Sequence, residues 1–176
     1  MVDAIPAYVA PESVAAFEKF GVFTKTELES RAEIEYETYA KTINIEAKAM
    51  IDIAGKQIIP AVIKYVTSLA QSVNSVKSAV ADADVSVQSE LLTESSALLS
   101  DAQVALAKLK DETAKAGAME EGREQAVYYR DVVKTAMDAL RTPVDELEMI
   151  VDKEMWPMPS YLSLIHISEP TRHLRI

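Results

Sequence analysis

The sequence predicts an all-α protein, built as a long antiparallel helical hairpin or three-helix bundle with a proline kink near Pro60. Nearly half of the 176 residues are hydrophobic, only four are glycine and none is cysteine, a composition typical of helical proteins. Apolar residues also recur at helical spacing over long stretches. Each such helix would leave an apolar stripe in water, so the helices are expected to fold back on one another.

Residues 1–23 are predicted to form an N-terminal segment with one short helix. Residues 1–10 are apolar, contain Pro6, and are expected to be extended. Pro11 fits the first turn of a helix, where its missing N–H costs nothing, and Gly21 fits the position just after the helix end. The apolar side of this helix carries Val14, Phe17 and Phe20.

The longest helix is predicted to follow Thr24, which forms a T-x-x-E capping box with Glu27. From Ile43 to Val80 its apolar positions advance 37 residues in ten intervals, an average of 3.7 residues per interval. This average lies near the 3.6 residues per turn of a straight helix and above the 3.5 of a left-handed coiled coil. From Lys25 to Val80 such a helix would reach about 80 Å. The apolar positions are Ile43, Ala47, Met50, Ala54, Ile58, Ala61, Tyr65, Leu69, Val73, Val76 and Val80.

Pro60 interrupts this long helix. A proline there removes one hydrogen bond and frees the carbonyl of Lys56, at a cost of about 3 kcal/mol unless packing compensates. Gly55 lies one turn earlier, and the apolar phase continues through the proline. A kink near residues 56–60 is therefore predicted rather than a chain break.

Two turns are predicted to separate the long helix from two further helices. Residues 81–87 form the first turn, with Asp84 or Ser86 as N-cap, and residues 113–122 contain two glycines and form the second. The apolar residues of the second helix are Leu91, Leu92, Leu98, Leu99, Ala102, Ala105, Leu106 and Leu109. Those of the third are Ala126, Tyr129, Val133, Ala136, Leu140, Val144, Leu147 and Val151.

The third helix contains its own proline. Thr142 fits an N-cap and Pro143 fits the first helical position, so the helix is expected to restart or kink there. Its end is predicted at Trp156, Pro157 and Pro159.

The last fifteen residues are predicted to be foreign to the protein. Leu162–Arg172 reads LSLIHISEPTR, which resembles the in-frame translation of a common sequencing adapter, and segments of this kind are excluded from fold reasoning. The alternative is a short edge strand. His166 and His173 are the only histidines, so the remaining chain has none. The predicted organisation is 1–23 as the N-terminal segment, 24–161 as a helical domain and 162–176 as the adapter-derived tail.

Charge and composition exclude several functions. The net charge of −10 argues against nucleic-acid binding, which needs a basic surface. No apolar run approaches the roughly 20 residues that cross a bilayer, and the first residues lack the basic start of a signal peptide. A helix on a lipid surface would need a basic polar face, whereas this one is rich in glutamate. Without cysteine, disulfide scaffolds and thiolate zinc sites are excluded.

The sequence predicts no catalytic, cofactor-binding or metal-binding residue in this chain. Acidic pairs can bind metals, but the di-iron bundle pattern needs Glu-x-x-His, so a solvated acidic face is favoured for the three glutamates of the long helix. The next acidic group lacks the glycine and the bidentate glutamate spacing of an EF-hand, so helix capping is favoured. These two groups are Glu33, Glu37 and Glu46, then Asp82, Asp84 and Glu90.

Nucleophilic and phosphate-binding motifs are also missing. The stretch GKQIIP at Gly55 lacks the upstream glycine and the Ser/Thr of a phosphate loop, and Ser-His-Asp catalysis needs a histidine. Tyr128, Tyr129, Arg130 and Trp156 offer a recognition surface, but packing against a neighbouring domain is favoured. Asn44 either contacts another domain or is an exposed filler, with the contact slightly favoured. The methionines Met149, Met155 and Met158 are interpreted as gap-fillers.

Three ordered blocks carry a family resemblance. They are FEKFGVFTKTELESR at 17–31, YAKTINIEAKAMIDIAGKQIIPAVIKY at 39–65, and AVYYRDVVKTAMDALR with VDELEMIVDKEMWPMPSY near the end. In order and spacing they resemble the helical C-terminal region of type III glutamine synthetases. The resemblance covers nearly all of residues 4–161, although 72–117 matches only in its alanine-rich helical character.

The resemblance implies a parent enzyme that uses ATP and a divalent metal, Mg or Mn, to join ammonia to glutamate through a γ-glutamyl phosphate. In that family the metal carboxylates, nucleotide contacts and phosphate-binding arginines lie upstream, so no catalytic residue is carried onto this chain. The chain is expected to be a fragment that is inactive alone. Its expected partners are the catalytic domain and the neighbouring subunits of a cytoplasmic homo-oligomer. The alternative is a free-standing helical interaction or adaptor protein with a genuine start at Met1.

Overall fold

The computed structural model describes residues 2–159, and every regular element within them is helical. The predicted adapter-derived tail, residues 162–176, lies outside the described residues. A 3-10 helix covers Ile5–Val9, and π-helical turns at Ala54–Ile58 and Tyr129–Val133 join α2 to α3 and α5 to α6. The α-helices are α1 (Pro11–Lys19), α2 (Lys25–Ile53), α3 (Ile59–Ala79), α4 (Ser86–Gly117), α5 (Arg123–Tyr128) and α6 (Lys134–Ile150). The prediction of an all-α fold is confirmed.

The first ten residues are not extended, and this prediction was wrong. They form a turn followed by the 3-10 helix, with Pro6 in its first turn, where the fixed φ of proline is already helical. The compact shape lets Val2 and Ile5 bury their side chains against Ala32 and Tyr36 of α2. Burial of these two apolar side chains ties the N-terminal segment to the bundle.

Helix α1 ends at the predicted glycine. Gly21 has a φ of 65°, and its N–H donates to the carbonyl of Glu18, while the N–H of Val22 donates to the carbonyl of Phe17. These two bonds form a Schellman motif, which glycine favours because it lacks a Cβ. Phe20 was predicted on the apolar side of α1, but it is 75% exposed. It follows the last helical residue, Lys19, and so leaves the face that Val14 and Phe17 share.

The capping box at the start of α2 is confirmed. The N–H of Glu27 donates to the hydroxyl of Thr24 over 3.4 Å, and the N–H of Thr24 donates to the Glu27 carboxylate over 2.7 Å. The hydrogen bond from the Thr24 backbone lowers the pKa of Glu27. Together the two bonds satisfy backbone donors that a helix start would otherwise leave unpaired.

The interruption at Pro60 takes the form of a π-helical turn. The N–H of Ile59 donates to the carbonyl of Ala54, five residues back, so the hydrogen-bond ladder shifts register by one residue. Pro60 is the next residue and has no N–H to donate. Its missing bond therefore falls where the ladder is already irregular, close to the predicted 56–60.

Both turns differ in detail from the predictions. The N-cap position of α4 is Val85, whose side chain makes no capping bond. Asp84 instead accepts a hydrogen bond from the N–H of Ser86 over 2.9 Å, one residue further from the helix than a standard N-cap. The second turn is shorter than predicted, because α4 runs through Thr113 to Gly117 and only residues 118–122 lie between helices.

Helix α6 passes through its proline without restarting. The hydroxyl of Thr142 donates to the carbonyl of Asp138 over 3.2 Å, so it bonds back along the helix and does not cap a new one. Pro143 lies inside the helix and is buried, which offsets part of the cost of its lost hydrogen bond. The helix ends at Ile150, earlier than the predicted end at Trp156.

The core lies where the three rods 25–79, 86–117 and 123–150 pack together. Alanines are frequent at these contacts, which lets the helix backbones approach closely. Beyond Tyr65, α3 has only half-buried or exposed apolar residues, and Val80 of the predicted stripe is exposed, because α6 ends before the α3–α4 turn. The central cluster comprises Ala40, Ile43, Ala47, Ala54, Leu106, Leu109, Ala116, Tyr129, Val133, Ala136 and Leu140. The second comprises Ile58, Val62, Tyr65, Ala102, Leu147 and Val151.

Candidate functional site

The acidic residues weighed as metal ligands lie apart or serve structural roles. Glu37 pairs with Lys41 one turn away on α2, and Glu33 and Glu46 are exposed on the same helix. Among residues 2–159 no three histidine, aspartate or glutamate side chains gather closely enough to hold a metal ion. The described residues therefore do not fit the divalent metal that the family resemblance implies.

The remaining motif candidates also have structural explanations. Asp84 accepts a hydrogen bond from the first N–H of α4, although Val85 takes the N-cap position, and Asp82 and Glu90 are exposed. Gly55 lies inside the first π-helical turn, where a Cβ would meet only Leu106 Cδ2 at 3.6 Å. A glycine in a continuous helix presents no loop of free N–H groups to a phosphate. Within residues 2–159 no helix is long and apolar enough to cross a membrane.

The aromatic recognition surface does not form, because Tyr129 is in the central cluster. Its side chain is 1% exposed, and this burial raises the pKa of the phenol. Trp156 packs on the second cluster, beside Leu147 and Val151. Its indole Nε1 is buried and has no hydrogen-bond partner among the described residues. These two aromatic residues hold the bundle together and present little surface to a partner.

Tyr128 belongs to a polar network between α4 and α5. Its hydroxyl donates to Glu112 Oε2 over 2.5 Å, and Lys115 pairs with the other oxygen of Glu112 at 3.1 Å. The hydrogen bond from Tyr128 lowers the pKa of Glu112, with Lys115 adding to the effect, and the same bond raises the pKa of Tyr128. The network joins α4 to α5 through hydrogen-bonded side chains.

Arg130 connects the N-terminal segment to the second π-helical turn. Its guanidinium pairs with Asp3 and with the neighbouring Asp131, and both contacts raise its pKa. Asp3 lies between Val2 and Ile5, whose side chains are buried against α2. The ion pair between Arg130 and Asp3 therefore adds a polar contact to the apolar packing of the N-terminal segment. Arg130 therefore acts as an internal tether rather than as a binding residue.

Asn44 has an unusual environment. Its side chain is half-buried, and its Oδ1 atom is buried without a hydrogen-bond partner among residues 2–159. A fully exposed filler would not leave this oxygen buried. The hydrogen bond to another domain stays a prediction.

A groove runs between α2 and α6 and ends at the chain that follows α6. Its volume is about 360 Å³, within the size range of sites that take ligands or side chains. The floor is apolar, and Met50, Met137 and Met158 contribute from three separate segments. Around them lie Ile53, Ala54, Ile58, Leu140 and Val144, and the charged residues at the groove are Glu46, Lys134, Asp138, Arg141 and Asp145.

The methionines near the chain end do not fill gaps. Met149 is 84% exposed, and Met155 and Met158 are also exposed. Met158 lines the groove and a neighbouring depression that contains Met149 and Trp156, so the two hollows share one wall. This surface could not be placed from the sequence, because Met50 and Met137 come from helices whose separation only the folded chain determines.

Comparisons with known proteins find one matching family and several relatives. Residues 1–77 match the family described as glutamine synthetase C-terminal domain. The chain is 31% identical over 159 residues to a glutamine synthetase of Butyrivibrio fibrisolvens, covering 90% of this chain and 23% of that protein. For a glutamine synthetase of Bacteroides fragilis the identity is 29% over 167 residues, with 93% and 23% covered.

A more distant relative shows the same partial coverage. The type-3 glutamine synthetase of Dictyostelium discoideum is 26% identical over 173 residues, which cover 94% of this chain and 23% of the relative. The chain thus spans less than a quarter of the length of these relatives. The family match over residues 1–77 and the three relatives together support a C-terminal fragment of a glutamine synthetase.

Proposed function

We propose that this chain supports the structure of an ATP-dependent glutamate–ammonia ligase without contributing to its active site. The observation that carries the proposal is the match to glutamine synthetases along 90% of this chain but only 23% of the relative. The relatives' remaining length can hold the ATP, the divalent metal and the reacting groups. Several side chains that could do chemistry, among them Glu27, Arg130 and Tyr129, are used here in a cap, an ion pair and the core.

The structural role follows from the rods and their exposed apolar surface. The rod formed by residues 25–79 would extend about 80 Å, far longer than needed to cover one small core. The α2–α6 groove and the exposed Met149 leave apolar surface that another domain or subunit could cover. We infer that the region packs on the catalytic domain of the same chain or bridges neighbouring subunits of a homo-oligomer.

The proposed organisation and location accompany this role. Residues 1–23 form the segment that leads into the bundle and 24–161 form the helical domain. The acidic surface, with a net charge of −10, disfavours nucleic acid and anionic membranes as partners. A cytoplasmic homo-oligomer is the proposed setting. A free-standing adaptor would have to place its partner on the same groove, and no observation favours it over the enzyme.

The test uses the Butyrivibrio fibrisolvens relative. Its matched C-terminal quarter is deleted, and in a second version it is replaced by residues 1–161 of this chain. We expect the deletion to lose assembly in light scattering and glutamine formation in a coupled assay, and the replacement to restore both at least in part. The 176-residue chain alone is expected to form no glutamine. A deleted enzyme that stays assembled and fully active would refute the structural role.

A further inference from the structure

The groove between α2 and α6 carries an inference that deepens the proposed function and rests on it. We propose that this groove receives an amphipathic helix from the catalytic part of the same enzyme, with apolar side chains on the floor and a basic residue at the rim. No segment of residues 2–159 fills the groove.

The shape and lining of the groove fit a helix. Two helices, α2 and α6, form its walls, and an amphipathic helix laid between such walls presents side chains one turn apart to the floor. The floor methionines Met50, Met137 and Met158 are unbranched and adapt to the side chains they meet. The shared wall at Met158 extends the apolar surface toward Met149, beyond the reach of a single side chain.

The charges around the groove indicate the polarity of the occupant. Three acids, Glu46, Asp138 and Asp145, face two bases, Lys134 and Arg141, and Arg141 is paired with Asp145 at 3.1 Å. Lys134 has no ion-pair partner within 4 Å among the described residues, and neither do Glu46 and Asp138, so the unpaired acids outnumber the unpaired base by one. A lysine or arginine beside the apolar side chains of the occupant would complement them, and the chain as a whole carries a charge of −10.

The length of the relatives identifies where the occupant comes from. The matched region covers 23% of the Butyrivibrio fibrisolvens protein, so 77% of it lies outside. That larger part must meet the C-terminal region somewhere if the region has a structural role. The groove is a concave apolar surface suited to such a contact, and it is formed partly by α2, inside the span that the family match covers.

The experiment uses the full chain and, as probe, the purified 77% of the Butyrivibrio fibrisolvens enzyme that the chain does not match. Because the chain has no cysteine, Met158→Cys and the control Val104→Cys each accept a single photo-crosslinker. Val104 is 68% exposed on α4 and does not line the groove. We expect the Met158 label, and not the Val104 label, to crosslink to a probe helix that carries apolar residues and a flanking lysine or arginine.

A charge variant tests the same contact by affinity. Met158→Lys places a cation on the apolar floor, and we expect it to weaken probe binding by about tenfold or more in fluorescence anisotropy. The matched control Val104→Lys is expected to change binding by less than about twofold.

The outcomes separate this inference from the proposed function. If a complex forms but only Val104 crosslinks, or neither label does, the groove is the wrong surface and the structural role stands. If gel filtration shows no complex although circular dichroism shows that both the chain and the probe are folded, the structural role fails and this inference fails with it. Crosslinking of Met158 to a second copy of the chain, or a small apolar molecule retained in native mass spectra, would replace the proposed occupant and overturn the inference.

Discussion

The side-chain amide of Gln125 donates a hydrogen bond to the carbonyl oxygen of Ala116 over 3.1 Å. Gln125 lies in α5 and Ala116 in the last turn of α4, so the bond closes the end of one helix from the next. The same amide also reaches the carbonyl of Met119 at 3.4 Å. A helix end leaves carbonyls without partners, and this glutamine supplies one from across the turn.

Gln125→Ala is expected to destabilise the chain by about 0.5–1.5 kcal/mol, because the carbonyl of Ala116 would lose the side-chain donor and keep only the N–H of Met119 at 3.3 Å. Gln125 is only 8% exposed, so water cannot fully replace the amide. The free energy of unfolding in urea measures the effect. Gln103→Ala, the same substitution at an exposed position of α4, serves as the control and should change it by less than about 0.5 kcal/mol. Equal effects at the two sites would contradict the capping role.

Leu106→Ala is expected to cost about 2–5 kcal/mol, because Leu106 is 1% exposed and belongs to the central cluster. The range reflects how far neighbouring helices can close on the cavity. Val104→Ala, two residues away and exposed, is expected to cost less than about 0.5 kcal/mol. Chemical denaturation of the two variants checks the difference, and a loss below about 1 kcal/mol at Leu106 would show that the core is not packed as described.

The two glycines Gly55 and Gly122 should respond to alanine with opposite signs. At Gly55 a Cβ meets Leu106 Cδ2 at an ordinary 3.6 Å within a helical backbone, so Gly55→Ala should stabilise by about 0.5–1 kcal/mol. Gly122 has a φ of 137°, where a Cβ is strained, so Gly122→Ala should destabilise by about 1 kcal/mol or more. Thermal midpoints measured side by side decide the matter, and a shared sign would disagree with the backbone described here.

Tyr128→Phe should alter the pH dependence of stability. The Tyr128 hydrogen bond lowers the pKa of Glu112 from its ordinary 4.5, so its contribution is present above pH 4.5 and is lost as the pH falls through the lowered value. The pKa of Tyr128 is raised from 10.0, so its contribution is present below pH 10.0 and is lost as the pH rises through the raised value. The stability difference between wild type and variant should therefore be largest between these limits.

Urea unfolding from pH 3 to 11 measures this difference, and carbon NMR of the Glu112 carboxyl follows its pKa directly. In Tyr128→Phe that pKa should move up toward its ordinary value. Tyr8→Phe removes a hydroxyl from an exposed tyrosine and serves as the control, for which no pH-dependent difference is expected. If the Glu112 carboxyl titrates in Tyr128→Phe as it does in the wild type, the effect of the Tyr128–Glu112 hydrogen bond on its pKa is contradicted.

Most of the fold was predictable because the apolar residues recur at the spacing of an α-helix. Ten steps from Ile43 to Val80 cover 37 residues, whereas ten steps of 3.6 need only 36. The extra residue matches the π-helical turn at Ala54–Ile58, so the departure of the average from 3.6 held a signal of that turn. Pro60 marked nearly the same place by independent chemistry.

The second π-helical turn left no such trace. Seven steps from Ala126 to Val151 cover 25 residues, which is what seven steps of 3.6 require. The turn at Tyr129–Val133 therefore depends on packing between helices rather than on spacing along one of them. Packing between helices also decides whether Val80, which the spacing predicted to be buried, is covered. Val80 follows the last residue of α3 in an extended conformation, and α6 ends too early to cover this end of the long rod.

The candidate site was the least predictable part. Capping residues such as Thr24 act on their own helix, so sequence spacing reveals them. The groove depends on how far α2 and α6 stand apart, and that distance is set by side chains contributed from all three rods. Met149 shows the limit, since a lone methionine in a sequence reads as core filler until the fold shows that it faces solvent.

The π-helical turn at Ala54–Ile58 allows one residue to be inserted into a buried helix during evolution. One residue corresponds to about 100° of rotation in an α-helix, so an added residue would normally turn every later side chain away from its neighbours. A wide turn absorbs the addition locally and leaves both flanking stretches in place. We expect related chains that lack the turn to align with a one-residue gap between residues 54 and 58. An insertion of this kind can lengthen a buried helix during evolution while its packing partners stay the same.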